Sequence, residues 1–215
     1  MVQTTNAILA VSLKPMSLQE QCRAILDILM SIPWMHIENK GSIFLSDEDT
    51  KVLTIAAAHN FTLEQLSTCA TVPYGKCLCG LAASTRAIVY TPDSKEDAHS
   101  TRYSEMRPHG HYCVPIDSGD RLLGVINIYL SEGYKRSDED ETLLRNIAGT
   151  IAGVVLRKES EDKISQNFLI QGVINQILMI SLEPVSLKEQ LQKVLDIISD
   201  VPVAVKEHYG MYFCN

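Results

Sequence analysis

Basic runs, long apolar runs and a dense set of cysteines are all missing from this chain of 215 residues. Without clustered Lys and Arg, and with a formal charge of −7 and a pI near 5.3, it offers no surface for nucleic-acid phosphates. The longest apolar stretches, such as 147–156, are short and broken by glycine, so no segment reads as a membrane span. The opening Met1-Val2-Gln3-Thr4-Thr5 lacks the charged start of a signal peptide, and the expected location is the cytoplasm. Six cysteines, at 22, 69, 77, 79, 113 and 214, are too sparse for a secreted disulfide scaffold. They read instead as packing residues, ligands or redox thiols. An apolar fraction of 46% with 21% charged residues excludes a disordered chain and supplies one good core and part of another.

What is present first is a repeat. Aligning 6–45 with 175–214 at a constant offset gives 17 identities in 40 positions without a gap. Ser17-Leu18, Glu20-Gln21 and Leu26-Asp27-Ile28 recur as Ser186-Leu187, Glu189-Gln190 and Leu195-Asp196-Ile197. A period this long marks a duplicated domain, not a solenoid. The expected organisation is the end of a linker helix over 1–16, a complete unit over 17–156, a helical linker over 157–185, and the start of a second, truncated unit over 186–215.

Within the complete unit, Ser17 is placed to cap a helix whose apolar stripe is Leu18, Cys22, Ile25, Leu26 and Leu29, ended by Pro33. Strands are expected at 41–45, 52–58, 88–90, 112–116 and 122–130, with short helices at 63–67 and 80–84. Ser137-Asp138-Glu139-Asp140 opens a last helix, and no proline interrupts it before Pro184. A helix of that length does not bury itself in one small domain, which points to a homodimer seam along it.

Chemistry concentrates in two segments, Cys77-Leu78-Cys79-Gly80 and His109-Gly110-His111-Tyr112-Cys113. In extended backbone, alternate residues share a face, so His109, His111 and Cys113 line one wall. Cys77 and Cys79 lie just before an expected helix start, where free N–H groups favour thiolate. Soft sulfur and imidazole donors suit iron, zinc or a tetrapyrrole. The candidate ligand-binding residues are Cys77, Cys79, His99, His109, His111, Tyr112 and Cys113, and the candidate metal ligands Cys77, Cys79, His109, His111 and Cys113. The expected partners are a small-molecule or metal ligand, a second copy of the chain through the long helix, and a downstream effector.

Several motifs together resemble a GAF domain: Cys79-Gly80-Leu81-Ala82-Ala83-Ser84, Val114-Pro115-Ile116, Arg121-Leu122-Leu123-Gly124-Val125-Ile126-Asn127-Ile128, and the acidic helix entry from Ser137. The resemblance covers residues 17 to 156. It implies an α+β fold: a central antiparallel sheet of five or six strands, helices on one face, a ligand pocket under loops on the other, and a long C-terminal signalling helix. It also implies a sensory or dimerising module of a histidine kinase or cyclase. The loop bearing His99 would fold over the pocket. An enzymatic alternative is the free methionine-R-sulfoxide reductase, whose Gly-x-Cys-Gly segment is matched by Leu78-Cys79-Gly80; its second cysteine segment is absent, since the corresponding stretch reads Pro92-Asp93-Ser94-Lys95-Glu96-Asp97. A dimerisation module with no ligand is the third reading.

Overall fold

The computed structural model describes residues 2–35, 37–93, 100 and 106–200. Helix α1 is Val2–Ser12 and α2 is Leu18–Met30. Ser17 caps α2 through a capping box: its Oγ accepts from the Glu20 N–H at 3.3 Å, and the Ser17 N–H donates to the Glu20 carboxylate at 2.8 Å. The stripe expected for α2 is buried as drawn, with Cys22, Ile25, Leu26 and Leu29 wholly inside. A 3-10 turn at Pro33–Met35 leads into β1, Ile37–Asp47, and β2, Val52–His59. Then follow α3 (Leu63–Thr68), β3 (Thr71–Pro73), α4 (Cys77–Thr85), β4 (Val89–Thr91), β5 (Gly110–Ser118), β6 (Arg121–Leu130), α5 (Asp138–Ser181) and α6 (Leu187–Asp200).

The six strands form one antiparallel sheet in the order β3-β2-β1-β6-β5-β4. Alternation along β5 and β6 divides their side chains between two cores. Tyr112, Val114, Ile126, Ile128 and Leu130 join α1, α2 and the first part of α5 in the helix-side core. Cys113, Val125 and Phe44 join Leu78, Cys79 and Ala82 of α4 in the core on the other face. Two differences from expectation bear on the site: β3 was not expected, and α4 begins earlier. Strand β3 is three residues ending in proline, too short for a periodicity to show. Helix α4 starts at Cys77, not Gly80; its N-cap, Lys76, makes no side-chain capping bond, so no capping pattern in the sequence marked the start.

Burial has a pH consequence at Cys22. Desolvation pushes its thiol from 9.0 to about 11, while an unfolded chain ionises it near the ordinary value. The folded state therefore holds a proton that the unfolded state releases. Stability is intact below pH 9 and falls as pH rises toward 11, by about 2–3 kcal/mol from this group. Urea denaturation at pH 8 and pH 10.5 checks this: Cys22→Ala is expected to lose less stability between the two than the unsubstituted chain.

Helix α5 runs for 44 residues. Its first turn carries Asp138, Glu139, Asp140 and Glu141, which complement the positive end of the helix. The entry is further held by Tyr112, whose hydroxyl accepts from the Ser137 N–H at 3.0 Å. Tyr112→Phe removes that acceptor and is expected to cost about 1 kcal/mol in a urea melt, with no change in fold. Gly149 and Gly153 lie exposed in the helix interior, and a Cβ at either meets nothing within 4 Å. Alanine at each is expected to raise stability by about 1 kcal/mol, read as a higher denaturation midpoint.

The chain divides into two compact units, 1–156 and 157–215. In the second, the described residues are the later part of α5 and α6, and the internal repeat extends to hydrogen bonds. Gln21 Nε2 donates to the Ser12 and Lys14 carbonyls at 3.1 and 2.9 Å; Gln190 Nε2 donates to those of Ser181 and Glu183 at 3.5 and 3.1 Å. Ser186 and Glu189 repeat the capping box of Ser17 and Glu20. The stretch of the repeat expected as its first strand, near 210–213, lies outside the described residues, as does Cys214. No helix among the described residues is long and apolar enough to cross a membrane.

Candidate functional site

The site lies on the sheet face covered by α4. Asn127, in an otherwise apolar run of β6, is its hub. Asn127 Nδ2 donates to Ser42 Oγ at 3.3 Å, which turns Oδ1 toward β5. That oxygen accepts from His111 Nδ1 at 2.9 Å and from the Cys113 thiol at 3.5 Å. Cys113 Sγ in turn lies 3.8 Å from Cys79 Sγ on α4. His109 Nδ1 donates to the Arg107 carbonyl at 2.6 Å. Both imidazoles therefore commit Nδ1–H to an acceptor, and in the neutral ring Nε2 carries the lone pair.

Tyr129 gathers the rings. Its centroid lies 4.4 Å from that of His111, 4.8 Å from His109 in a stacked pair, and 5.7 Å from Phe61, edge-on. The two imidazoles are 4.6 Å apart. Lys40 Nζ sits 5.4 Å from the Tyr129 ring centre, a cation–π distance. Burial pushes the Lys40 ammonium below its usual range and the nearby Glu38 carboxyl above its own, so a charge pair borders the cluster in a partly desolvated position.

Cys79, Cys113, His111 and His109 thus form one connected, buried cluster. Cys77 does not join it from the same side. In extended backbone a Cys-x-Cys pair shares a face, but here both residues lie in α4, where positions i and i+2 point about 200° apart. Cys79 is buried against β5, whereas Cys77, with φ +54°, is only half-buried. Tyr112 is also corrected: it occupies the opposite face, wholly buried in the helix-side core, and does not line the site. His99 lies outside the described residues. The expected five-donor metal set is not formed, since among the described residues no three His, Cys, Asp or Glu side chains converge on a point that could hold a metal ion.

Asn127, Tyr129, Phe61, Lys40 and Cys69 were not singled out from sequence. One signal was available: Asn127 is the lone polar residue in Val125-Ile126-Asn127-Ile128, and a buried amide in a central strand needs partners. Cys69 ends α3, and burial, followed by the nearness of Cys79 and Cys77, raises its thiol to about 11.

A six-stranded antiparallel sheet with helices on one face and a short helix over a polar cluster on the other defines a small α+β domain. The GAF domain family model matches residues 15–155, and the chain belongs to that family. Among solved structures it is similar to the GAF domain of a phosphoenolpyruvate-protein phosphotransferase from Coxiella burnetii: TM-score 0.65, 17% identity, covering 75% of this chain and 96% of that one. The corresponding Acinetobacter domain gives a TM-score of 0.63 at 17% identity, covering 74% and 94%. A free methionine-R-sulfoxide reductase from Neisseria meningitidis, solved with its substrate, gives 0.61 at 17% identity, covering 74% and 90%. At these identities the likeness concerns the fold alone. A comparison with curated proteins found no match.

Proposed function

We propose that this GAF domain is the sensory module of a cytoplasmic signalling protein of the histidine kinase or cyclase type, and that it reads a small organic ligand at the His109–His111–Tyr129 cluster. The observation that carries the reading is a buried cluster of three rings on the α4 side of the sheet, in which two imidazoles, oriented through Nδ1, pack 4.8 and 4.4 Å from the Tyr129 ring. Such a wall favours a planar heteroaromatic molecule, held chiefly by ring stacking. Binding would bias α5, which leads out of the domain toward an effector, and a homodimer along that helix would convert a small shift into an output. The repeated hydrogen bonds of Gln21 and Gln190 support a second GAF unit beginning near Ser186.

The reading is regulatory, not catalytic. Cys79 is buried with its thiol held well above the usual range by its hydrogen bond to Cys113 and by desolvation, which makes it a slow nucleophile at neutral pH and ill matched to rapid turnover. The test is an NMR titration of the chain with a panel of heteroaromatic fragments, supplemented by an assay for reduction of free methionine-R-sulfoxide. The expected result is a fragment that moves the His109, His111 and Tyr129 signals, is lost in His111→Ala, and is accompanied by no turnover. Cys79-dependent turnover would replace this reading with the reductase, and a visible absorption band from a tetrapyrrole or iron centre would replace the ligand class.

A further inference from the structure

We propose that Cys79 and Cys113 form a reversible thiol–disulfide switch that joins α4 to β5 and is wired to His111 through Asn127. The inference stands apart from the ligand reading, because it concerns two sulfurs already in contact and holds whether or not a ligand is bound.

The geometry selects this pair among the cysteines. Their Sγ atoms lie 3.8 Å apart, and a disulfide needs about 2.05 Å, so each sulfur has to move by roughly 0.9 Å. Cys22 is buried on the other face of the sheet, among the helix-side residues. Cys69 and Cys77 are half-buried where α3 ends and α4 begins. Cys79 and Cys113 also anchor different elements: one faces the sheet from α4, and the other is central in β5 between β4 and β6. A bond between them ties the covering helix to the sheet.

The oxidant is a hydroperoxide, with hydrogen peroxide as the simplest member. One thiol attacks the peroxide, giving a sulfenic acid and water. The second thiol then attacks that sulfur, forming the S–S bond and releasing the sulfenic oxygen as a second water. Two thiols are oxidised, one peroxide is reduced, and a dithiol reductant reverses the step by exchange. Because Cys79 is held largely as the thiol, closure is slow at neutral pH and accelerates as pH rises.

The wiring follows from Asn127. Its Oδ1 accepts both the Cys113 S–H and the His111 Nδ1–H. A disulfide has no S–H to donate, so oxidation leaves that oxygen to His111 alone and changes the hydrogen bond that orients the imidazole. The redox state of the thiols is thus reported to the ring that faces the proposed ligand.

The experiment exposes the chain to hydrogen peroxide, blocks remaining thiols with iodoacetamide in denaturant, and maps peptides by mass spectrometry. The expected result is a Cys79–Cys113 linked peptide, two hydrogens lighter than its reduced parts and lost on dithiothreitol treatment, while two of the six thiols disappear. In parallel, imidazole nitrogen NMR is expected to show the His111 signals moving on oxidation in the unsubstituted chain and staying in place in Cys79→Ala. Recovery of both residues as blocked thiols after other cysteines have oxidised overturns the switch. A linked peptide with unmoved His111 signals overturns the wiring.

Discussion

Replacing Gly124 by alanine is expected to destabilise the domain by about 3 kcal/mol, a severe loss for a single methyl group. Gly124 sits in β6 opposite Leu45 of β1 and Ile116 of β5. A Cβ there would overlap the backbone carbonyl oxygen of Phe44 and press on Ile116 Cδ1 at 3.3 Å. The obstacle on one side is main chain, held by ladder bonds on both flanks, so it has no rotamer by which to yield. Relief requires β1 and β6 to part where both cores meet the sheet. Urea denaturation followed by circular dichroism is the check. A midpoint within a few tenths of a molar of the unsubstituted chain would mean that the strands separate at little cost.

The second large effect is expected from Phe44→Ala. Phe44 is 1% exposed and is the largest side chain of the core beneath α4, packed with Leu53, Val72, Leu78 and Val125. Removing a buried phenyl ring costs about 3–5 kcal/mol, because the lost transfer energy is joined by a cavity that rigid strands do not close. The loss falls unevenly. The helix-side core has its own residues and stays filled, whereas α4 loses the bed on which it lies. Cys79 is therefore expected to react several-fold faster with a thiol reagent at denaturant concentrations that leave the sheet folded. Equal protection of Cys79 in both proteins would show that α4 is held by contacts other than this ring.

These two substitutions also mark the limit of what the sequence reveals. The motif around Gly124 was recognisable, and the alternation of β6 told which residues share a face. Nothing in the string told that Phe44 places its carbonyl against that glycine, because the contact joins positions 80 apart. The helix stripe from Leu18 to Leu29 was readable because burial on one side of a helix imposes a 3.6-residue period on the chain itself. His111 and Cys113 could be set on one face by the same logic at period two. Cys77 and Cys79 could not, since the argument needed extended backbone and α4 begins without a capping residue to announce it. Tyr129 and Asn127 escaped notice for a related reason. They lie on the correct face of a strand read as hydrophobic core, and only the partner strands reveal the cluster they organise.

The repeated helix pair has a consequence for how the chain reaches its native state. Residues Leu187, Leu191, Val194, Leu195 and Ile198 of α6 occupy the positions that Leu18, Cys22, Ile25, Leu26 and Leu29 hold in α2. In α2 these positions, Leu18 only partly, are covered by the sheet; in α6, Leu187, Leu191 and Leu195 are 70%, 55% and 49% exposed. A helix with a matching stripe is thus a potential rival for the seat of α2 on the described sheet, a kinetic hazard of internally repeated sequences. Synthesis resolves the contest by order. Residues 18–130 leave the ribosome before 187–200, so α2 meets the strands first. Dilution from denaturant offers both helices at once, and that is where a mis-seated population is to be sought.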